Sequence, residues 1–134
     1  MKTHILVVDD ESDFTAMLRA SLESAGYYEV AEENDEMRAV AAAREFAPDL
    51  ILLDVMMPNL DGSEVAAMIR QDPHTRHIPI LFLTALVSEA DAPTGSYASG
   101  GNTFVPKSLP IDRLMECINQ ANQRSAGDCA ARII

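Results

Sequence analysis

The sequence predicts an α/β fold: a three-layer sandwich of five alternating strand–helix units around a parallel sheet. Three observations carry this. Short, unbroken apolar runs such as Ile5-Leu6-Val7-Val8 and Leu50-Ile51-Leu52-Leu53 suit strands buried on both faces. Between them lie segments with apolar residues at helical spacing. Pro and Gly punctuate the junctions. The 134 residues suit one domain, and a hydrophobic content of 48% supports a packed core rather than disorder.

The elements follow in order. The first strand covers residues 3–8, and a helix over 11–25 carries Phe14, Met17, Leu18 and Leu22 on one face, with Gly26 as its stop. A short second strand covers 28–31. Asn34 is the expected N-cap of a second helix bearing Met37, Val40, Ala41, Arg44 and Phe46. Pro48-Asp49 opens the third strand, which ends at Asp54. Residues 56–62 form a loop, and a third helix over 63–71 is expected to bury Val65, Met68 and Ile69 before Asp72-Pro73 breaks it. The fourth strand covers 78–83 and leads to Thr84. The fifth covers 103–105 and leads to Lys107. Pro110 suits the first turn of a last helix that runs to about residue 122 on Ile111, Leu114, Met115 and Ile118.

Residues 88–101 should hold the fourth crossover helix, because parallel strands need a crossover. Pro93, Gly95, Ser96, Gly100 and Gly101 make that helix short or irregular. The domain is expected over 1–124. Ser125, Ala126 and Gly127 break the last helix and leave a flexible tail over 125–134.

Composition narrows the function. A formal net charge of -11 argues against direct nucleic-acid binding, which uses Lys and Arg to neutralise phosphates. Cys117 and Cys129 have neither zinc nor disulfide-framework spacing, and reduced thiols fit a cytoplasmic protein. No secretory or membrane-spanning apolar segment is read, so no membrane partner is expected. His4, His74 and His77 lack ligand spacing and are expected on the surface.

The chemistry lies where strands end in acids. Asp9-Asp10 closes the first strand and Asp54 the third. The carboxyl edge of an open α/β sheet is where ligands bind. If the two strands are neighbours, three carboxylates converge, and two such charges about 4 Å apart repel by roughly 4 kcal/mol at an effective dielectric of about 20. A hard divalent cation relieves this. Asp54 is then an oxygen nucleophile for a phosphoryl group, with Lys107 and Thr84 available to hold its oxygens.

Four segments in order, Val7-Val8-Asp9-Asp10-Glu11, Asp54 through Gly62, Leu83-Thr84-Ala85 and Phe104-Val105-Pro106-Lys107, resemble the receiver domains of two-component response regulators. The resemblance covers about residues 3–123. It implies a flavodoxin-like fold with strand order 2-1-3-4-5. It implies Asp54 as phosphoacceptor, and Mg2+ ligation by Asp10, Asp54 and the Met56 carbonyl, with Asp9 acting mostly through water. Lys107 pairs with the phosphate, Thr84 is the switch hydroxyl and Phe104 the switch aromatic. A histidine kinase or phosphotransfer protein is the implied donor. The implied recipient of the signal is a downstream protein or an output domain outside this chain, with self-association through the face of the fourth helix, fifth strand and fifth helix. No separate substrate turnover is implied.

The chain departs from the family pattern at two places: Ser108 follows Lys107 where Pro is usual, with Pro106 before it, and the fourth helix, on the family's usual output face, is weak. The alternative function is a receiver-like interaction module that is not phosphorylated. A phosphatase with an Asp nucleophile fits less well, because Met56 stands where such enzymes carry a second Asp.

Overall fold

The computed structural model describes residues 2–55, 62–85, 97–99 and 102–133, with side chains described up to residue 122 outside 97–99 and 102. The elements are β1 (Thr3–Val8), α1 (Ser12–Ser24), β2 (Tyr28–Glu33), α2 (Ala39–Phe46), β3 (Leu50–Asp54), α3 (Gly62–Gln71), β4 (Ile80–Thr84), β5 (Tyr97–Ser99), β6 (Asn102–Pro106) and α4 (Ile111–Ile133). The sheet order is β2-β1-β3-β4-β6-β5. Five strands are parallel, in the expected order with β6 as the fifth.

β5 pairs antiparallel with β6. It stands where the end of the helix expected over 88–101 would lie, in a stretch whose glycines are poor helix formers. The rest of that expected helix, residues 88–96, lies outside the described residues.

Alternation along each strand separates two cores. Ile5, Val7, Leu50, Leu52, Leu81, Leu83 and Val105 pack with Leu18 and Leu22 of α1 and with Leu114, Cys117 and Ile118 of α4. Leu6, Val8, Ile51, Leu53, Ile80 and Phe82 face Ala39 and Ala43 of α2 and Val65, Ala66 and Ile69 of α3. Each fully buried Leu or Ile contributes roughly 1.5–3 kcal/mol relative to exposure. That the central strands are buried on both faces is why their sequences read as continuous apolar runs.

Several features differ from expectation. α2 is preceded by a 3-10 turn, Glu36–Arg38, capped by the Asp35 side chain, which accepts from the Met37 N–H at 3.0 Å. Asp35 thus caps the segment in place of Asn34. The tighter turn, with about three residues per turn, shifts the helical phase. Ala39 and Ala43 are therefore buried, while Met37, at 60%, is exposed. Met68 of α3 is likewise exposed, its place in the core taken by Ala66. α4 continues past residue 122 through Gly127 to Ile133, so the expected tail is helical over most of its length. One interior Gly costs only about 1 kcal/mol relative to Ala, and Ala126, Ala130 and Ala131 surround it.

The helix stops obey backbone sterics. Gly26, at φ 87°, ends α1 as expected. α2 ends on Ala47 in the left-handed region (φ 50°, ψ 59°), its N–H donating to the Ala43 carbonyl at 3.0 Å. That conformation costs a non-glycine residue ~1–2 kcal/mol. Glycine loses ~0.5–1 kcal/mol more in chain entropy. Ala47→Gly should therefore stabilise the fold by about 0.5–1 kcal/mol. Equilibrium urea unfolding measures this, and a lowered midpoint would contradict it.

Candidate functional site

The site forms where adjacent strands end on one edge. β1 and β3 are neighbours, with Val8 opposite Leu53, so Asp9 and Asp54 emerge side by side. Asp9 continues the Ile5–Val7 row and Asp54 the Leu50–Leu52 row, both toward α1 and α4. Asp9 and Asp54 are buried and Asp10 is exposed. One carboxylate oxygen of each lies within 4.8 Å of the others.

Lys107 enters this cluster from the end of β6. Its Nζ lies 2.7 Å from Asp9 Oδ2, 3.3 Å from Asp54 Oδ1 and 3.4 Å from Glu11 Oε1. The ammonium also sits 4.7 Å from the centroid of the Phe14 ring, a cation–π distance. The Lys107 N–H donates to the Thr84 carbonyl at 2.8 Å, extending the β4–β6 ladder by one bond. Alternation turns the Pro106 nitrogen toward β5, beyond Phe104, the last residue β5 pairs. Pro106 therefore costs no ladder bond, and the departure at Ser108 leaves Lys107 aimed at the acids.

The electrostatics are those of a site short of positive charge. Burial pushes the Asp9 carboxyl above its ordinary value of 3.8, against the opposing pull of Lys107 and the Glu11 N–H. Burial alone would lower the Lys107 ammonium, but its close contact with Asp9 and the charges of Asp9 and Asp54 prevail and move it upward from 10.5. One lysine thus serves several acids. Asp9 Oδ1 accepts from the Glu11 N–H at 2.9 Å. Oδ2, fully buried, has only the ion-pair contact with Lys107 and no aligned hydrogen-bond donor among the described residues. A buried carboxylate oxygen without such a donor, close to two further carboxylates, is a donor set that fits a hard divalent cation.

The remaining expected residues fall as follows. Thr84 is buried at the same edge, one position beyond Leu83, which pairs with Asp54. Phe104 stacks on Phe82, with ring centroids 5.2 Å apart, and packs against the α2–α3 side of the core. Met56 lies outside the described residues. The three histidines take no part, and His4 instead pairs with Glu29 at 3.2 Å.

Three contributors carried weaker signals. Phe14 reads as one more apolar residue of a helix face. Glu11 reads only as the end of the first family-like segment. Gly62 reads as loop punctuation, yet its N–H donates to the Val55 carbonyl at 2.8 Å. A Cβ at Gly62 would lie 2.5 Å from the Asp54 carbonyl oxygen. The start of α3 is thus pressed against the end of β3, and only glycine permits the approach.

A family model, the response regulator receiver domain, matches residues 5–119. The chain belongs to this family. Response regulator PleD of Caulobacter vibrioides is 45% identical over 115 residues, covering 86% of this chain and 24% of PleD. The chain therefore spans about a quarter of that relative's length. The polar-differentiation response regulator DivK of Brucella anthropi is 30% identical over 118 residues, covering 88% of this chain and 94% of DivK. The solved structure of chemotaxis protein CheY4 of Vibrio cholerae superposes with a TM-score of 0.75 at 29% identity, covering 90% of this chain and 99% of that one. The receiver fold and the acidic edge of its sheet thus agree with the resemblance read from the four sequence segments. Among the described residues, no helix is long and apolar enough to cross a membrane.

Proposed function

We propose that this receiver domain is a phosphorylation-dependent switch of a two-component phosphorelay, with Asp54 as its phosphoacceptor. The observation that carries the proposal is the setting of Asp54: a buried carboxylate at a strand end, 3.3 Å from the Lys107 ammonium and beside two further acids. A histidine kinase or phosphotransfer protein would present phosphohistidine. An Asp54 carboxylate oxygen attacks phosphorus, the O–P bond forms, the P–N bond breaks, and the leaving imidazole takes up a proton. Asp9, Asp10, Asp54 and the Met56 carbonyl would hold Mg2+, which when bound neutralises charge on the phosphoryl oxygens.

Lys107 is already placed to exchange a carboxylate contact for a phosphoryl oxygen. The new group adds about -1.5 to -2 charge and three acceptor oxygens. Thr84 donates its hydroxyl to one of them. Phe104 follows, and an equilibrium between two forms of the β4–β6 side is shifted. The protein acts by changing what it binds, without turning over a separate substrate. The cytoplasm is the compartment that supplies such a kinase.

Amide NMR tests the switch. Phosphorylated and unphosphorylated protein should differ at Thr84, Phe104 and Lys107 as well as at Asp54. Changes confined to residues around Asp54 would leave a phosphoacceptor without a switch.

Mg2+ should also stabilise the fold by binding only its native form. At a hundredfold excess over Kd the gain is about 2.7 kcal/mol, a rise of several degrees in Tm. Asp9 holds its proton more tightly when folded than when unfolded. Its own contribution to stability is therefore present below the ordinary value of 3.8 and lost as pH rises through the raised folded value. Protons compete with the ion for the same oxygen, so the Mg2+ effect should shrink as pH falls. An unchanged Tm at millimolar Mg2+ near neutral pH would argue against a metal site.

A further inference from the structure

Asn34 follows β2 and is exposed, yet its side-chain amide is committed to two partners. Nδ2 donates to the Asp9 carbonyl at 2.8 Å and to Thr15 Oγ1 at 3.0 Å. A carbonyl only accepts, which sets the orientation of the amide. Thr15 is fully buried, and its hydroxyl proton goes to Glu32 Oε1 at 2.7 Å or to the Ser12 carbonyl at 3.1 Å. Either choice leaves Oγ1 as an acceptor for Asn34.

These contacts converge on one residue of the acidic site. The Asp9 N–H donates to the Glu33 carbonyl at 3.1 Å. The Asp9 carbonyl is held by Asn34, and Asp9 Oδ1 by the Glu11 N–H. Oδ2 alone is left toward the site. The Asp9 carbonyl also belongs to the peptide plane that leads into Asp10. Fixing that plane fixes the N–Cα bond of Asp10, so its side chain departs from a set position and turns only through φ.

We infer that Asn34 is a positioning residue for the cation site, clamping the Asp9–Asp10 peptide and thereby aiming both carboxylates. The inference rests on the proposal that these acids hold Mg2+. Residues that orient metal ligands typically change affinity by about ten-fold to a hundred-fold when removed.

The test is a Mg2+ titration of purified wild type, Asn34→Ala, Thr15→Val and Thr15→Ser. It is read both by the rise in Tm and by the rate of phosphorylation from acetyl phosphate. Asn34→Ala should need about ten-fold more Mg2+ for half-saturation in both readouts. Its phosphorylation rate at saturating Mg2+ should stay close to wild type. Thr15→Val, which keeps the shape of the side chain and loses the acceptor, should shift the same way. It carries the test if Asn34→Ala does not fold. Thr15→Ser should match wild type.

A lower metal-free Tm with an unchanged half-saturation would show a purely structural role and overturn the inference. Half-saturation that moves for Thr15→Ser as much as for Thr15→Val would also overturn it. A wild type that does not respond to Mg2+ at all would sink the cation site itself, a separate failure visible before any variant is compared.

Discussion

Asp54→Asn should fold, and it should accept no phosphoryl group. Asn has nearly the shape of Asp, so the buried end of β3 keeps its packing between Leu52 and the start of α3. What changes is the nucleophile. A carboxylate oxygen carries the charge that attacks phosphorus, and the product is an acyl phosphate. An amide oxygen is neutral and a poor nucleophile. The loss should be complete rather than graded, because Asp9 and Asp10 leave their backbones elsewhere and Asp9 Oδ2 is engaged by Lys107 at 2.7 Å. Stability should change little, since one contact to Lys107 is weakened while one repelling charge in the cluster is removed. Phosphoprotein persisting in this variant would move the acceptor to another residue.

Gly62→Ala should damage both fold and chemistry. The added methyl would meet the Asp54 carbonyl oxygen at 2.5 Å and the Val55 Cα at 2.9 Å, and both are backbone atoms. No side chain can rotate away to relieve the clash. The 2.8 Å bond from the Gly62 N–H to the Val55 carbonyl ties the two segments together, so they must separate as a unit. Overpacking of this kind costs about 2–3 kcal/mol, or roughly 10 °C in Tm for a domain of this size. The shift falls on the residue that carries Asp54, and a displacement of about 1 Å at a reacting group can slow a reaction on the order of a hundred-fold. A Gly62→Ala protein with wild-type Tm and phosphorylation rate would show that the close approach has no role.

The sequence made the main features of the site legible because buried strands announce themselves. Val7-Val8-Asp9 and Leu52-Leu53-Asp54 place charges where only a sheet edge makes sense of them, and β1 begins and ends where expected. Parallel strand order came from the family resemblance, since periodicity within a strand says nothing about its neighbours. Side-chain contacts between distant loops left no local trace. Asn34 fits an N-cap by propensity, but Asp35 takes that role and frees Asn34 to bind the β1–α1 turn. Gly62 is explained only by how closely α3 approaches β3. Met68 and Met37 fit an apolar helical face, yet neighbouring alanines fill the narrow space between the helices and the sheet. Gly127 reads as a breaker, although its neighbours include strong helix formers.

The most direct measurement is the intact mass of the purified protein after incubation with acetyl phosphate, with and without Mg2+, followed by mapping of the modified residue. One phosphoryl group on Asp54, gained with Mg2+ and absent when the ion is chelated, is the expected result. An unchanged mass in folded, Mg2+-supplied protein, or a phosphoryl group mapped to any other residue, would contradict it.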